Sequence, residues 1–166
     1  MLVLEGKIVI CIEAKFRSGN TLSHQGEVAA GHKPGDRAGL LRRYLDPAPE
    51  GTKRAINRER IGEVFHSQLF RNIVFASVMA NGADWHVVNL VSKTQWESGK
   101  SSRQYSFLSP EEAVHAYLYP EYRKSFTFRT WEGLRKALID GDASLATLDA
   151  YMRSKSAHYQ RAFDLD

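Results

Sequence analysis

Hydrophobic residues crowd together at Ile8, Val9, Ile10, Cys11 and Ile12, and the run ends in Glu13, Ala14, Lys15 and Phe16. So dense a β-branched stretch predicts a buried strand. Side chains alternate along a strand, so Ile8, Ile10, Ile12, Ala14 and Phe16 share one face. Val9, Cys11, Glu13 and Lys15 share the other, which starts apolar and ends charged. Met1 to Leu4 reads as the end of an earlier strand that hairpins through Glu5-Gly6 into this one. A two-residue turn there sets Leu4 opposite Lys7, and in that register the partner of Glu13 falls before Met1.

Further along, residues 17–35 are small and polar and read as a loop, with Gly19, Gly26, Gly31, Pro34 and Gly35 among them. Asp36 is a helix cap, Leu40, Leu41, Tyr44 and Leu45 form a short apolar stripe, and Pro47 stops it. Residues 47–51 read as a linker. Ile61, Val64, Phe65, Leu69, Ile73 and Ala76 then recur at three- and four-residue spacings, which predicts a long buried helical segment over about 57–80. Asn81-Gly82 ends it. Trp85, Val87, Val88, Leu90 and Val91 predict a second long strand, parallel to the first because a helix intervenes. Ser109-Pro110 opens another helix, residues 125–129 read as a short strand, and the stripes at Trp131, Leu134, Leu138 and at Leu145, Leu148, Tyr151, Met152 predict two packing helices.

At 166 residues and 43% hydrophobic content the chain suits one domain, 1–166, with a real core. The formal charge of +4 permits a polyanionic partner. Residues 36–60 hold seven basic and four acidic side chains, a stretch that could track a phosphate backbone or form a solvated surface. With a single cysteine, Cys11, the chain can form neither a disulfide framework nor a cysteine zinc site. The apolar stretch 69–80 is too short to span a bilayer, and no signal peptide precedes the first strand. A soluble cytoplasmic protein with no membrane partner is the expectation. The six histidines show no paired-ligand spacing and read as structural.

Candidate chemistry sits at the end of the first long strand. On spacing alone, Glu13 and Lys15 are equally well a metal ligand beside an ammonium or an ordinary solvated pair. In context, Glu13-Ala14-Lys15 after a hydrophobic strand, led in by Glu5-Gly6 and followed by Phe16-Arg17-Ser18-Gly19-Asn20, resembles the second half-motif of the PD-(D/E)XK nuclease superfamily. The resemblance implies an α/β restriction-endonuclease-like fold, a mixed sheet with flanking helices. It implies a magnesium- or manganese-dependent endonuclease acting on DNA, with Glu13 and the backbone carbonyl of Ala14 as metal ligands and Lys15 as the catalytic lysine. Gln68 and Arg71, on the following helix, and Arg17 and Ser18, in the loop, are secondary substrate candidates. The oligomeric state stays open, and a homodimer is compatible.

The family also carries an Asp on the preceding strand, and here that position precedes Met1. Glu5 cannot replace it, because a strand rising about 3.3 Å per residue holds it about 26 Å from Glu13. Three alternatives follow: the site borrows another carboxylate, an N-terminal segment is lacking, or the protein is an inactive relative. The rival to the enzyme is therefore a non-catalytic nucleic-acid-binding or interaction module on the same fold.

Overall fold

The structure is a computed structural model that describes residues 2–4, 7–15, 37–46, 48–61, 65–93, 109–141, 146–158, 163 and 165. Its architecture is mixed α/β, a small sheet with flanking helices. The strands are β1 (Leu2–Leu4), β2 (Ile8–Ala14), β3 (Asp84–Val91) and β4 (Phe126–Thr130), in the spatial order β1-β2-β3-β4. β1 is antiparallel to β2, and β2, β3 and β4 are parallel. The helices are α1 (Arg37–Leu45), α2 (Glu50–Ala55), α3 (Ser67–Ala80), α4 (Pro110–Tyr117), α5 (Trp131–Gly141) and α6 (Ala146–His158). Among the described residues no helix is long and apolar enough to cross a membrane.

The hairpin forms as expected, with a shifted register. Leu2 pairs with Ile10, Val3 with Val9 and Leu4 with Ile8. Lys7 therefore joins Glu5 and Gly6 in the connection, which is one residue longer than the tight turn expected. β3 lies beside β2 in parallel, as expected: the Asp84 N–H donates to the Lys7 carbonyl at 3.2 Å, and the Lys15 N–H to the Leu90 carbonyl at 2.8 Å. Both bonds fit one register, with Ile8 beside Asp84 and Ala14 beside Leu90.

Chain contacts divide the molecule into two compact units. The first comprises Met1–Glu13, Asn20–Val88 and Phe107–Thr127. Its core joins Val9 of β2 to Leu69, Phe70 and Ile73 of α3 and to Val87 and Phe126 of the neighbouring strands. α3 therefore covers the Val9 face of β2. The opposite face is less buried than a densely apolar strand would suggest: Ile8 and Ile10 are half-buried and Ile12 is 45% exposed. A parallel strand is apolar on both faces only where both are covered.

The expected helix over about 57–80 breaks into parts. Arg58–Arg60 form a 3-10 turn capped by the Asn57 side chain, and α3 begins only at Ser67. Ile61 and Phe65 are nonetheless buried in the same core, because spacing reports burial whether or not the backbone between is helical. The expected linker 47–51 is also corrected, since α2 starts at Glu50. At its second residue, Gly51, a Cβ would collide with the Ser77 carbonyl of α3. Glycine there serves close helix packing and does not loosen the chain. Asn81 (φ 46°) and Gly82 (φ 92°) end α3 in left-handed conformations, as expected. Ser109 caps α4, its hydroxyl accepting the Glu112 N–H at 3.0 Å.

The second unit comprises Ala14–Gly19, Asn89–Ser106 and Phe128–Asp166. Met152 and Phe163 form its small apolar centre, with Trp131, Leu148 and Leu165 packed against them. α5 and α6 are joined by Asp149, which accepts from Arg153 at 3.0 Å and from Arg135. These bonds, Arg153 first, hold the Asp149 carboxyl below the usual carboxylate range. A depressed folded-state pKa gives stability that is present above the unfolded value of about 3.9 and is lost as pH falls through the folded value. Acidification from neutral pH is therefore expected to loosen α5 from α6, and Asp149→Asn should loosen them at neutral pH and remove that part of the pH dependence. Superimposable acid titrations of helicity for the two chains would contradict this.

Candidate functional site

β2 ends in the charged pair, and alternation carries Glu13 to the same face as Val9. Val9 is 4% exposed and packed into the core that includes α3. Glu13 is half-buried, and its Oε2 accepts a hydrogen bond from Asn72 Nδ2 of α3 at 3.0 Å. An amide donor on one oxygen restrains rotation of a carboxylate without neutralising it. Gln68, one helical turn before Asn72, lies on the same side of α3. Arg71 points elsewhere: its Nε donates to the Ser67 carbonyl of its own helix at 3.3 Å.

The boundary between the units falls after Glu13, so the carboxylate of the motif belongs to the first and Ala14 and Lys15 to the second. Lys15 is half-buried, and its backbone is held on both sides. Its N–H donates to Leu90, and its carbonyl accepts from Trp131 Nε1 at 3.0 Å. Hydrogen-bonding groups alternate edges along a strand. With the Lys15 amide spent on β3, the carbonyl of exposed Ala14 faces the opposite edge of the strand. Arg17 and Ser18 lie outside the described residues.

Among the described residues no three of His, Cys, Asp and Glu converge as a metal cage. Magnesium does not need one, because it keeps several waters and is held by one or two carboxylates together with substrate phosphates. The half-buried Glu13 carboxylate would supply one ligand of that kind. Cys11, on the same face of β2, is half-buried, and burial pushes its thiol pKa up. That disfavours the thiolate needed for nucleophilic or metal chemistry.

The histidines read as structural include His86, whose Nε2 sits 2.7 Å from Thr127 Oγ1, and His115, edge-on to Phe126. Asn72 and Trp131 were not expected at the site. Asn72 shows in the sequence as a polar interruption of the apolar 69–80 stretch, one turn after Gln68. Trp131 carries no comparable signal. Its indole reaches a carbonyl 116 residues away. No protein-family model matches this chain, and neither the curated proteins nor the solved structures contain a match to it.

Proposed function

We propose that the chain is a metal-dependent DNA nuclease of the PD-(D/E)XK type, hydrolysing phosphodiester bonds at the carboxyl end of β2. The observation that carries this reading is Glu13 itself, a half-buried carboxylate at the end of a parallel strand, oriented by Asn72. Open parallel sheets place their chemistry at the carboxyl ends of their strands. The antiparallel lead-in strand, the parallel strands after it and the flanking helices support a restriction-endonuclease-like fold.

Glu13 and the Ala14 carbonyl would hold the cation, magnesium or manganese. Bound there, such a cation would supply a water of lowered pKa and would neutralise charge on the scissile phosphate. Lys15 contributes an ammonium against the negative charge that develops on the phosphate oxygens. Asn72 keeps the Glu13 carboxylate in one orientation, and Gln68 stands one turn away to meet substrate. The basic stretch suits the DNA backbone. Arg42, Arg43, Lys53 and Arg60 are exposed, while Arg54 pairs with Glu50, and Arg58 grips Asp46 with its two terminal guanidinium nitrogens.

One observation favours the second reading, a non-catalytic DNA-binding module: among the described residues no three of His, Cys, Asp and Glu gather as a metal cage. Plasmid nicking separates the two. We expect magnesium-dependent cleavage that a chelator stops, and that Glu13→Gln and Lys15→Ala each lower by about a hundredfold or more. Salt-sensitive DNA binding with no cleavage by the unaltered chain would favour the binding module. Cleavage that survives Glu13→Gln would place the site elsewhere.

A further inference from the structure

The two helices that close the chain read in the sequence as packing alone, and the structure gives the first turn of α5 more to do. β4 runs directly into α5, and Thr130 caps the junction, its hydroxyl accepting the Gly133 N–H at 3.1 Å. The next two residues are thereby set at the carboxyl end of the sheet, and each reaches a different strand. Trp131 Nε1 donates to the Lys15 carbonyl at 3.0 Å, just beyond β2. Glu132 Oε2 accepts the Lys93 N–H at 2.9 Å, just beyond β3. The Lys15 N–H is meanwhile bonded to Leu90 of β3. Lys15 is thus fixed at both ends of its backbone, and one of those two bonds comes from a side chain.

Trp131 is itself held. Its ring meets Phe163 edge-on at 6.4 Å and packs against the apolar centre built around Met152 of α6. The indole N–H is aimed by packing, and an indole can only donate. A carbonyl of a half-buried residue at a strand end is better satisfied by such a donor than left unpaired.

We infer that Trp131 is a positioning residue for Lys15, and that the start of α5 belongs to the working end of the sheet. The effect on catalysis rests on the nuclease reading, whereas the positioning does not. Trp131 fixes the backbone from which the ammonium extends, and a shift of an ångström or so in a catalytic group costs about a hundredfold in rate at the extreme.

Trp131→Phe is the test, because it removes the N–H while a smaller aromatic ring still faces Phe163. NMR order parameters of the Lys15 Cε methylene, measured on the whole chain, are expected to fall in the variant. In the unaltered chain the Trp131 indole proton is expected to exchange slowly with solvent. For DNA cleavage, kcat is expected to fall about tenfold with KM unchanged, because ground-state binding is untouched. Unchanged Lys15 order would overturn the inference, as would unchanged kcat in a chain that cleaves. If the unaltered chain does not cleave DNA, the nuclease reading fails, and the Lys15 order parameters still decide whether Trp131 positions it.

Discussion

Gly51→Val is expected to destabilise the first unit by about 3 kcal/mol or more, at or beyond the upper end of the usual cost of overpacking. α2 rests on α3 at this point with no side chain between them. A Cβ on Gly51 would lie inside contact distance of the Ser77 carbonyl oxygen and 3.1 Å from its carbonyl carbon. Those atoms are backbone in the last turn of α3 and cannot swing aside as a flexible side chain would. Relief requires α2 to lift away, which would uncover Thr52 and Ala55, both 0% exposed. It would also strain the bonds from Asn57 N–H to the Tyr117 carbonyl and from Tyr119 N–H to the Ala55 carbonyl. Alanine carries the same Cβ and should show a reduced form of the effect. Urea unfolding of the three chains measures it, and a Gly51→Ala midpoint equal to that of the unaltered chain would show that the two helices are not in backbone contact.

Phe70→Ala should cost about 3–5 kcal/mol, the range for deleting a fully buried aromatic ring. Phe70 is 0% exposed and meets three rings edge-on: Tyr44 at 6.3 Å, Phe65 at 5.3 Å and Tyr117 at 6.2 Å. These belong to α1, the segment before α3, and α4, so one side chain bridges most of the first unit's helical layer. The loss combines buried area, ring–ring contact and a cavity that three stiff neighbours cannot collapse into. Set against a typical domain stability of about 5–15 kcal/mol, the change removes a large fraction of the margin. Phe70→Leu should cost less because it leaves a smaller hole. The comparison is made by chemical denaturation, and equal midpoints for the two variants would mean that the size of the hole does not set the cost.

What could be read from the sequence divides along a physical line. Local alternation and helical spacing report burial, and they identified β2, the Leu69–Phe70–Ile73 face and the capped start of α4 correctly. Composition served less well. Pro47 to Gly51 has the residues of a linker, but Gly51 is there because two helices touch. Ile12 has the residue type of a core, yet it is 45% exposed. The motif residues Glu13 and Lys15 were legible as a pattern of charge at a strand end. Their supports were not, because Asn72 lies 59 residues from Glu13 and Trp131 lies 116 residues from the carbonyl it holds. Contacts over such distances are set by how elements assemble, and no window along one chain contains both partners.

The parallel pairing of β2 with β3 bears on how fast the chain reaches its native state. β1 and β2 can zip from their turn, since the residues they join are neighbours in sequence. The bond from Lys15 to Leu90 has no such nucleus. It forms only after the ends of a long intervening segment have been brought together, and that loss of chain entropy precedes any gain from the contact. Chains with many such distant contacts fold slowly, and parallel sheets are among the slowest. Until β3 docks, β2 has an unpaired edge exposed to other chains, which is the condition for aggregation. Refolding yield should therefore depend on protein concentration far more steeply than native stability does.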